Sequence, residues 1–273
     1  MDVSQKSDKG YWHGYLEFYE RHFPQAINGL IVEFGVQNGY SIRSLAERFP
    51  DAKIIGVDIV EQKSLWPVQD NISYHQLDQG SESDIVSFFK NVGTPTLIID
   101  DGSHLPSHQS RCLKHGFASL KNGGIYVLED IHSNLPDHYL YKEENPDKNK
   151  SRGLFGRKPR TLLRKRGSGL DALQTSLTIL LAFDHLKRMG HHEAPHSQLL
   201  KLTDDGYFSV DALGTLYNSI EEIHFYRRAT LPSACRSCGS TNFQYNTYAC
   251  ECGMNLYYLC DSISVILRKK VAA

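Results

Sequence analysis

Short apolar runs alternate with helix-length amphipathic stretches through the first half of the chain. Residues 29–36 (GLIVEFGV) form the first run, followed by SIRSLAERF at 41–49. KIIGVDIV (53–60) and NISYHQLDQ (71–79) come next, then the helical pattern DIVSFFKNV (84–92). TLIIDDGSH (96–104), a helix around 108–120 and GGIYVLEDIH (123–132) continue the series. Apolar strands separated by helices predict an α/β fold, a parallel sheet covered by helices on both faces. Further along, 171–189 (DALQTSLTILLAFDHLKRM) reads as a mostly buried helix. IHFYRR (223–228) and DSISVILRKK (261–270) read as a closing antiparallel hairpin. At the start, GYWHGYLEFYERHF (10–23) places Tyr11, Tyr15, Phe18 and Tyr19 at helical spacing, so one packing helix is expected there.

The 273 residues suit one large α/β domain or two smaller ones, and a net charge of -1 with 40% hydrophobic residues is ordinary for a globular chain. No apolar run reaches the roughly 18–20 residues of a membrane span. The opening MDVSQKSDKG lacks the apolar core of a signal peptide. A cytoplasmic protein with no membrane partner is therefore expected.

The candidate chemistry lies where strands end. The first turn, Glu33 to Ser41 (EFGVQNGYS), holds Gly35, Asn38 and Gly39, and glycines there let backbone approach a cofactor closely. A plain tight turn is an equal reading of that pair taken alone. Asp58, at the end of the second strand, suits the two hydroxyls of a ribose. Asp78 and Gln79, after the third, suit an adenine amino group. The fourth strand runs into Asp100 and Asp101, with His104 three residues beyond. Two adjacent carboxylates at a strand tip are costly to hold together unless something positive stands beside them. Such acids also cap helices or pair with Arg and Lys, and that reading stays open on the residues alone.

Taken together, EFGVxxGxS, the strand ending in Asp58, LDQ, IIDDGSH and GGIYVLED resemble a class I S-adenosylmethionine-dependent methyltransferase. The chain is similar in particular to the metal-dependent macrolide-sugar O-methyltransferases of the macrocin and mycinamicin type. The resemblance covers about residues 29–132 and implies a Rossmann-like sheet. It also implies S-adenosyl-L-methionine bound along Glu33, Gly35, Asn38, Gly39, Ser41, Asp58, Asp78 and Gln79. It implies Mg²⁺ on Asp101, Glu129 and Asp130, and His104 as the general base. Oxygen ligands suit a hard divalent cation. The implied activity is O-methylation of a sugar hydroxyl on a natural product or glycan, with a glycosylated or polyol small molecule as partner and a homo-oligomer as the assembly. A catechol-like acceptor is the alternative, since it also offers two adjacent oxygens. A nucleic-acid-binding protein on a methyltransferase scaffold is a distant third.

Two features lie outside that resemblance. Residues 148–166 hold nine Lys/Arg and no acid, within a basic loop expected to be mobile over about 142–169. The loop is expected to be solvated or to fold over the site as a lid. Cys235 and Cys238 (CRSC) with Cys250 and Cys252 (CEC) form two tight knuckles whose four thiolates suit a structural Zn²⁺, with Cys260 as a spare ligand. The expected organisation is an N-terminal helical segment (1–28), a methyltransferase domain (29–228 and 261–273) and a zinc-ribbon-like insertion (229–260). The lone Cys112 is expected in core packing and HHEAPH (191–196) in a polar loop.

Overall fold

The structure, a computed structural model, describes residues 7–145, 175–203, 208–256 and 262–271. Seven strands form one sheet: β1 (Leu30–Phe34), β2 (Lys53–Asp58), β3 (Ile72–Gln76), β4 (Pro95–Asp100), β5 (Ile125–Leu128), β6 (Ile220–Arg227) and β9 (Ile263–Lys269). Their order is β3-β2-β1-β4-β5-β9-β6. The first five run parallel, while β9 pairs antiparallel with both β5 and β6. The expected closing hairpin is thus present, with its second strand inserted between β5 and β6.

Both faces of the central strands β1, β4, β5 and β9 are buried, which is why those strands read as continuous apolar runs. Val32, Phe34, Ile98, Tyr126, Leu128, Val265 and Leu267 point to one side. There they meet helices α4 (Glu82–Val92), α5 (Pro106–Ser119), α7 (Ser176–Arg188) and α9 (Val210–Ser219). Their neighbours Ile31, Leu97, Ile99, Ile125, Val127 and Ile266 point to the other side, against α2 (Tyr15–His22) and α3 (Tyr40–Arg48). Cys112 is fully buried in the first of these layers, as expected. Two short helices, α6 (Tyr139–Glu144) and α8 (His196–Leu202), and a 3-10 turn at Ile131–Asn134 complete the described helical elements with α1 below. HHEAPH is a loop up to Pro195, and its last residue, His196, opens α8.

The single N-terminal helix expected over 10–23 is broken in two. Helix α1 covers Asp8–Tyr11 and α2 begins at Tyr15, because Gly14 between them adopts a left-handed φ of 71°. The break turns Trp12 and His13 away from the path of α2. Tyr15, Phe18 and Tyr19 pack on the sheet as expected, whereas Tyr11 packs at the cysteine segment.

The strand register sets the site. Strand order reverses between β1 and β4, each paired on its far side with a different neighbour, and open α/β sheets bind ligands in the crevice at such a point. Phe34 aligns with Asp100 and Asp100 with Leu128. The next residues continue the ladder: Asp101 N–H donates to Phe34 O at 3.0 Å, and Glu129 N–H to Asp100 O at 2.9 Å. Gly35, Asp101 and Glu129 thereby lie side by side at the carboxyl edge. Between β6 and β9 the chain makes a small ribbon of β7 (Phe243–Gln244) and β8 (Ala249–Cys250). The basic run 148–166 and Cys260 lie outside the described residues. Among the described residues, no helix is long and apolar enough to cross a membrane.

Candidate active site

At the inner end of the crevice the carboxylates surround a lysine. Lys9, from α1, is 4% exposed, and its Nζ lies 3.1 Å from Glu33 Oε1, 2.6 Å from Asp101 Oδ2 and 2.5 Å from Glu129 Oε1. Burial would lower the lysine's pKa, but Asp101, Glu129 and Glu33 together raise it well above the usual value. One ammonium cannot neutralise three carboxylates. The shortage of positive charge shows at Glu129, where desolvation, then Asp101, drives the pKa well above the ordinary carboxylate range.

Here the expected Mg²⁺ ligands are divided between two clusters. Glu129 faces Lys9 and does not join Asp130, because the backbone turns sharply between them. Asp130 has a left-handed φ of 50°, which sends its side chain to the outer side of the strand tip. There it accepts a hydrogen bond from Tyr15 Oη at 2.6 Å, with His13 Nδ1 at 3.7 Å and His132 Nδ1 at 3.9 Å. Burial opposes ionisation of Asp130, yet His13, His104, His132 and the tyrosine hydroxyl hold its pKa down at about 2.

His104 connects the two carboxylates that face outward. Its Nε2 is 3.7 Å from Asp101 Oδ1 and 3.8 Å from Asp130 Oδ2, and it too has a left-handed backbone, φ 59°. Its buried Nδ1 has no hydrogen-bond partner among the described residues. Ligand atoms of Asp101, His104 and Asp130 all lie within 4.8 Å of one another. Two carboxylates beside an imidazole, facing the crevice, have the spacing of groups that could hold a divalent cation. Asp101 belongs to both clusters, one oxygen toward Lys9 and the other toward His104.

These groups line a cavity of about 390 Å³ that runs from His13, Glu129 and Asp130 past His104 to Gly35, Asp58 and Asp78. Gly35 has a φ of 87°, and a Cβ there would lie 2.0 Å from the carbonyl oxygen of Asp101. Only glycine lets the first turn pack this closely on the β4 tip. Asp58 accepts backbone N–H groups of Val36 (2.9 Å) and Val60 (3.2 Å), which fixes that turn from the far side.

Several expected cofactor contacts are turned inward. Glu33 is fully buried and takes Ser41 Oγ at 2.6 Å as well as Lys9. Gln79 is 8% exposed, although it borders the cavity. Its Nε2 donates to Asp100 Oδ1 (2.9 Å) and lies 3.2 Å from Cys112 Sγ, and its Oε1 accepts Ser103 N–H (2.9 Å). Asp78 takes Gly80 N–H at 2.7 Å. Asn38 and Ser41 line a second cavity beside Lys9, next to buried Gly39. Asp100 thus braces the strand tip: it holds Gln79 and, at 3.2 Å, Tyr126 Oη. His108, unnoticed in the sequence, lines the cavity and bonds Ser103 Oγ through Nδ1 at 2.8 Å.

The four cysteines converge behind the N-terminal segment. Cys235 Sγ lies 3.7 Å from Cys252 Sγ, and Cys238 Sγ 3.5 Å from Cys250 Sγ, with all four within 4.8 Å and none in a disulfide. A tetrahedral zinc with Zn–S bonds of about 2.3 Å spaces its sulfurs about 3.8 Å apart, so the cluster fits that ion. All four donors would be protein atoms, which makes the site structural.

No protein-family profile matches the chain. The 8-demethyl-8-(2-methoxy-alpha-L-rhamnosyl)-tetracenomycin-C 3'-O-methyltransferase of Streptomyces olivaceus is 34% identical over 139 residues, which cover 46% of this chain and 34% of that protein. The mycinamicin VI 2''-O-methyltransferase of Micromonospora griseorubida is 29% identical over 145 residues, 48% of this chain and 36% of that one. The solved MycE methyltransferase from the mycinamycin biosynthetic pathway, in complex with Mg and SAH, aligns with 99% of this chain and 55% of its own, at a TM-score of 0.58 and 20% identity. The chain has the class I methyltransferase fold. It spans about a third of the length of the curated relatives it matches.

Proposed function

We propose that the chain is an S-adenosylmethionine-dependent, Mg²⁺-dependent O-methyltransferase acting on a sugar hydroxyl of a glycosylated natural product. The observation that carries this reading is the joining of Asp101, His104 and Asp130 to the Gly35–Asp58–Asp78 edge in one cavity. The relatives that are sugar O-methyltransferases, and the MycE complexes with Mg, SAH and mycinamycin VI, support it.

Asp101 and Asp130 would hold the cation, which would supply positive charge against the developing negative charge on the acceptor oxygen. A sugar hydroxyl keeps its proton tightly at neutral pH, so a base is needed as well. His104 Nε2, aimed between the two carboxylates, can accept that proton, and the carboxylates stabilise the imidazolium that results. The acceptor oxygen then bonds to the methyl carbon, and the pair from the broken S–C bond returns to sulfur. Gly35 and the Asp58-braced turn would hold the cofactor beside the strand tips, and the remaining catalysis would be positioning. The left-handed backbone of His104 holds the imidazole in that place.

The test is methyl transfer from labelled S-adenosylmethionine to a diol-bearing glycoside, before and after exhaustive chelation. Activity should vanish with chelator and return with Mg²⁺. Full activity without divalent ions would remove the metal from the mechanism. Transfer to catechols but not to glycosides would replace the acceptor class.

A further inference from the structure

The cysteine knuckle and the carboxylate cluster are joined by one short stretch of chain, Asp8 to His13. Trp12 is 2% exposed and packs in a small core of its own with Cys235, Cys250 and Leu256. Arg228 covers the Trp12 ring, its guanidinium carbon 4.9 Å from the centroid, and donates to Leu256 O at 3.0 Å. Ser233 donates to Tyr11 O through its backbone N–H (2.9 Å) and its hydroxyl (3.1 Å). On the other side of the same stretch, Lys9 reaches Glu33, Asp101 and Glu129. Helix α1 has only four residues and no side-chain cap, so it cannot hold this position by itself. Its seat is made by the knuckle at one end and the carboxylates at the other.

We propose that the cysteine knuckle is a clamp that seats Lys9, and that Lys9 is a positioning residue that competes with the divalent cation for Asp101. Lys9 takes one oxygen of Asp101 and the facing oxygen of Glu129, leaving the other Asp101 oxygen to His104 and the cation. An ammonium at this distance repels a divalent ion strongly in a buried setting. The seated lysine therefore weakens cation binding and restricts it to the outer side of Asp101, where His104 stands. Loss of the knuckle's metal frees Trp12, unseats Lys9 and lets a cation settle deeper, between Asp101 and Glu129. The metal-binding sites at the two ends of the segment are thus coupled with opposite signs.

This coupling rests on the proposed divalent site but is measured without methyl transfer. In the full chain, Mn²⁺ binding is followed by electron paramagnetic resonance in wild type, Lys9→Met and Cys252→Ser. Lys9→Met is expected to bind Mn²⁺ about tenfold more tightly or better, since a repelling charge is gone. Cys252→Ser, which keeps Lys9 but opens the knuckle, is expected to move affinity in the same direction. With 5-fluorotryptophan incorporated, the resonance of Trp12 should shift on loss of the knuckle metal while that of Trp66 stays. Unchanged or weaker Mn²⁺ binding in Lys9→Met overturns the competition. Wild-type Mn²⁺ binding in a folded Cys252→Ser protein overturns the clamp, and that variant decides the matter if Lys9→Met does not fold. A wild type that binds Mn²⁺ but methylates no glycoside would defeat the proposed function and leave this coupling standing.

Discussion

Nζ of Lys9 lies 2.6 Å from Oδ2 of Asp101, while the other oxygen of the same carboxylate faces His104 Nε2 at 3.7 Å. One side chain thus links an inner cluster around Lys9 to an outer cluster open to the cavity. Of the two adjacent carboxylates at the β4 tip, Asp101 meets the ammonium, while Asp100 is held by neutral donors, Gln79 and Tyr126.

Asp101→Asn should therefore damage turnover more than binding. The amide keeps the shape but loses the charge toward both Lys9 and the cation side. A fall in kcat of at least about 100-fold is expected, the scale of a lost proton-transfer or charge-stabilising group. S-adenosylhomocysteine affinity by calorimetry should stay within about threefold. Loss of cofactor binding instead would move Asp101 out of the reacting centre.

His104 offers a separate test because its backbone lies in the left-handed region. Asparagine tolerates that conformation better than most residues, so His104→Asn should fold as well as wild type. Its kcat should fall by about 100-fold or more. A thermal midpoint within a few degrees of wild type, combined with that loss, separates chemistry from folding. Wild-type turnover would show that the proton leaves by another route.

Much of this arrangement was legible in the residues. Uninterrupted apolar runs such as LIVEF and TLIID mark strands buried on both faces, and their tips mark the crevice. The knuckle was legible because thiol spacing is a local property of the chain. Lys9 was not. Nothing in SDKGYWHG marks its one lysine as buried, since the burial comes from strands that are distant in sequence and from the knuckle more than two hundred residues away. Gln79 and Glu33 show where that legibility ends: position at a strand tip gives the residue's place, but side-chain direction depends on Asp100, Ser41 and Lys9. The adjacent Trp12 and His13 were the available hint, as aromatic side chains in a polar terminus need something to pack on.

Gly35→Ala tests the close approach of β1 and β4. The added methyl would meet the Asp101 carbonyl oxygen, a backbone atom that cannot swing aside, and φ is unfavourable as well. A loss of about 2–4 kcal/mol in urea unfolding is expected, with a large loss of cofactor affinity. The same substitution at Gly190, whose φ is also positive but whose Cβ would meet nothing within 4 Å, should cost only about 1 kcal/mol. Equal costs at the two positions would assign the Gly35 effect to backbone conformation alone.

The knuckle predicts a stoichiometry. Purified protein should release about one zinc per chain when its thiols are titrated with a mercurial, and Cys238→Ser should carry markedly less. Its thermal midpoint should drop by several degrees, because a small ribbon of two-residue strands has little core of its own. Full zinc content in Cys238→Ser would shift the ligand set to other residues.

Asp100 sets a pH dependence that can be read in protein free of divalent ions. Burial raises its pKa from 3.8 to about 6, against the hydrogen bonds from Gln79 and Tyr126. Between these two values the native state holds a proton that the unfolded chain has released, so the stability this group contributes is full below pH 3.8 and is lost as pH rises through about 6. A shift of about two units corresponds to about 3 kcal/mol. Asp100→Asn removes the buried charge while keeping an acceptor and a donor for its two neighbours. The variant should be more stable than wild type at pH 8, by about 1–3 kcal/mol, with the gain shrinking to near zero below pH 4. Urea unfolding at the two pH values checks this, and a variant less stable than wild type at pH 8 would mean that the ionised carboxylate is what holds Gln79 and the β4 tip in place.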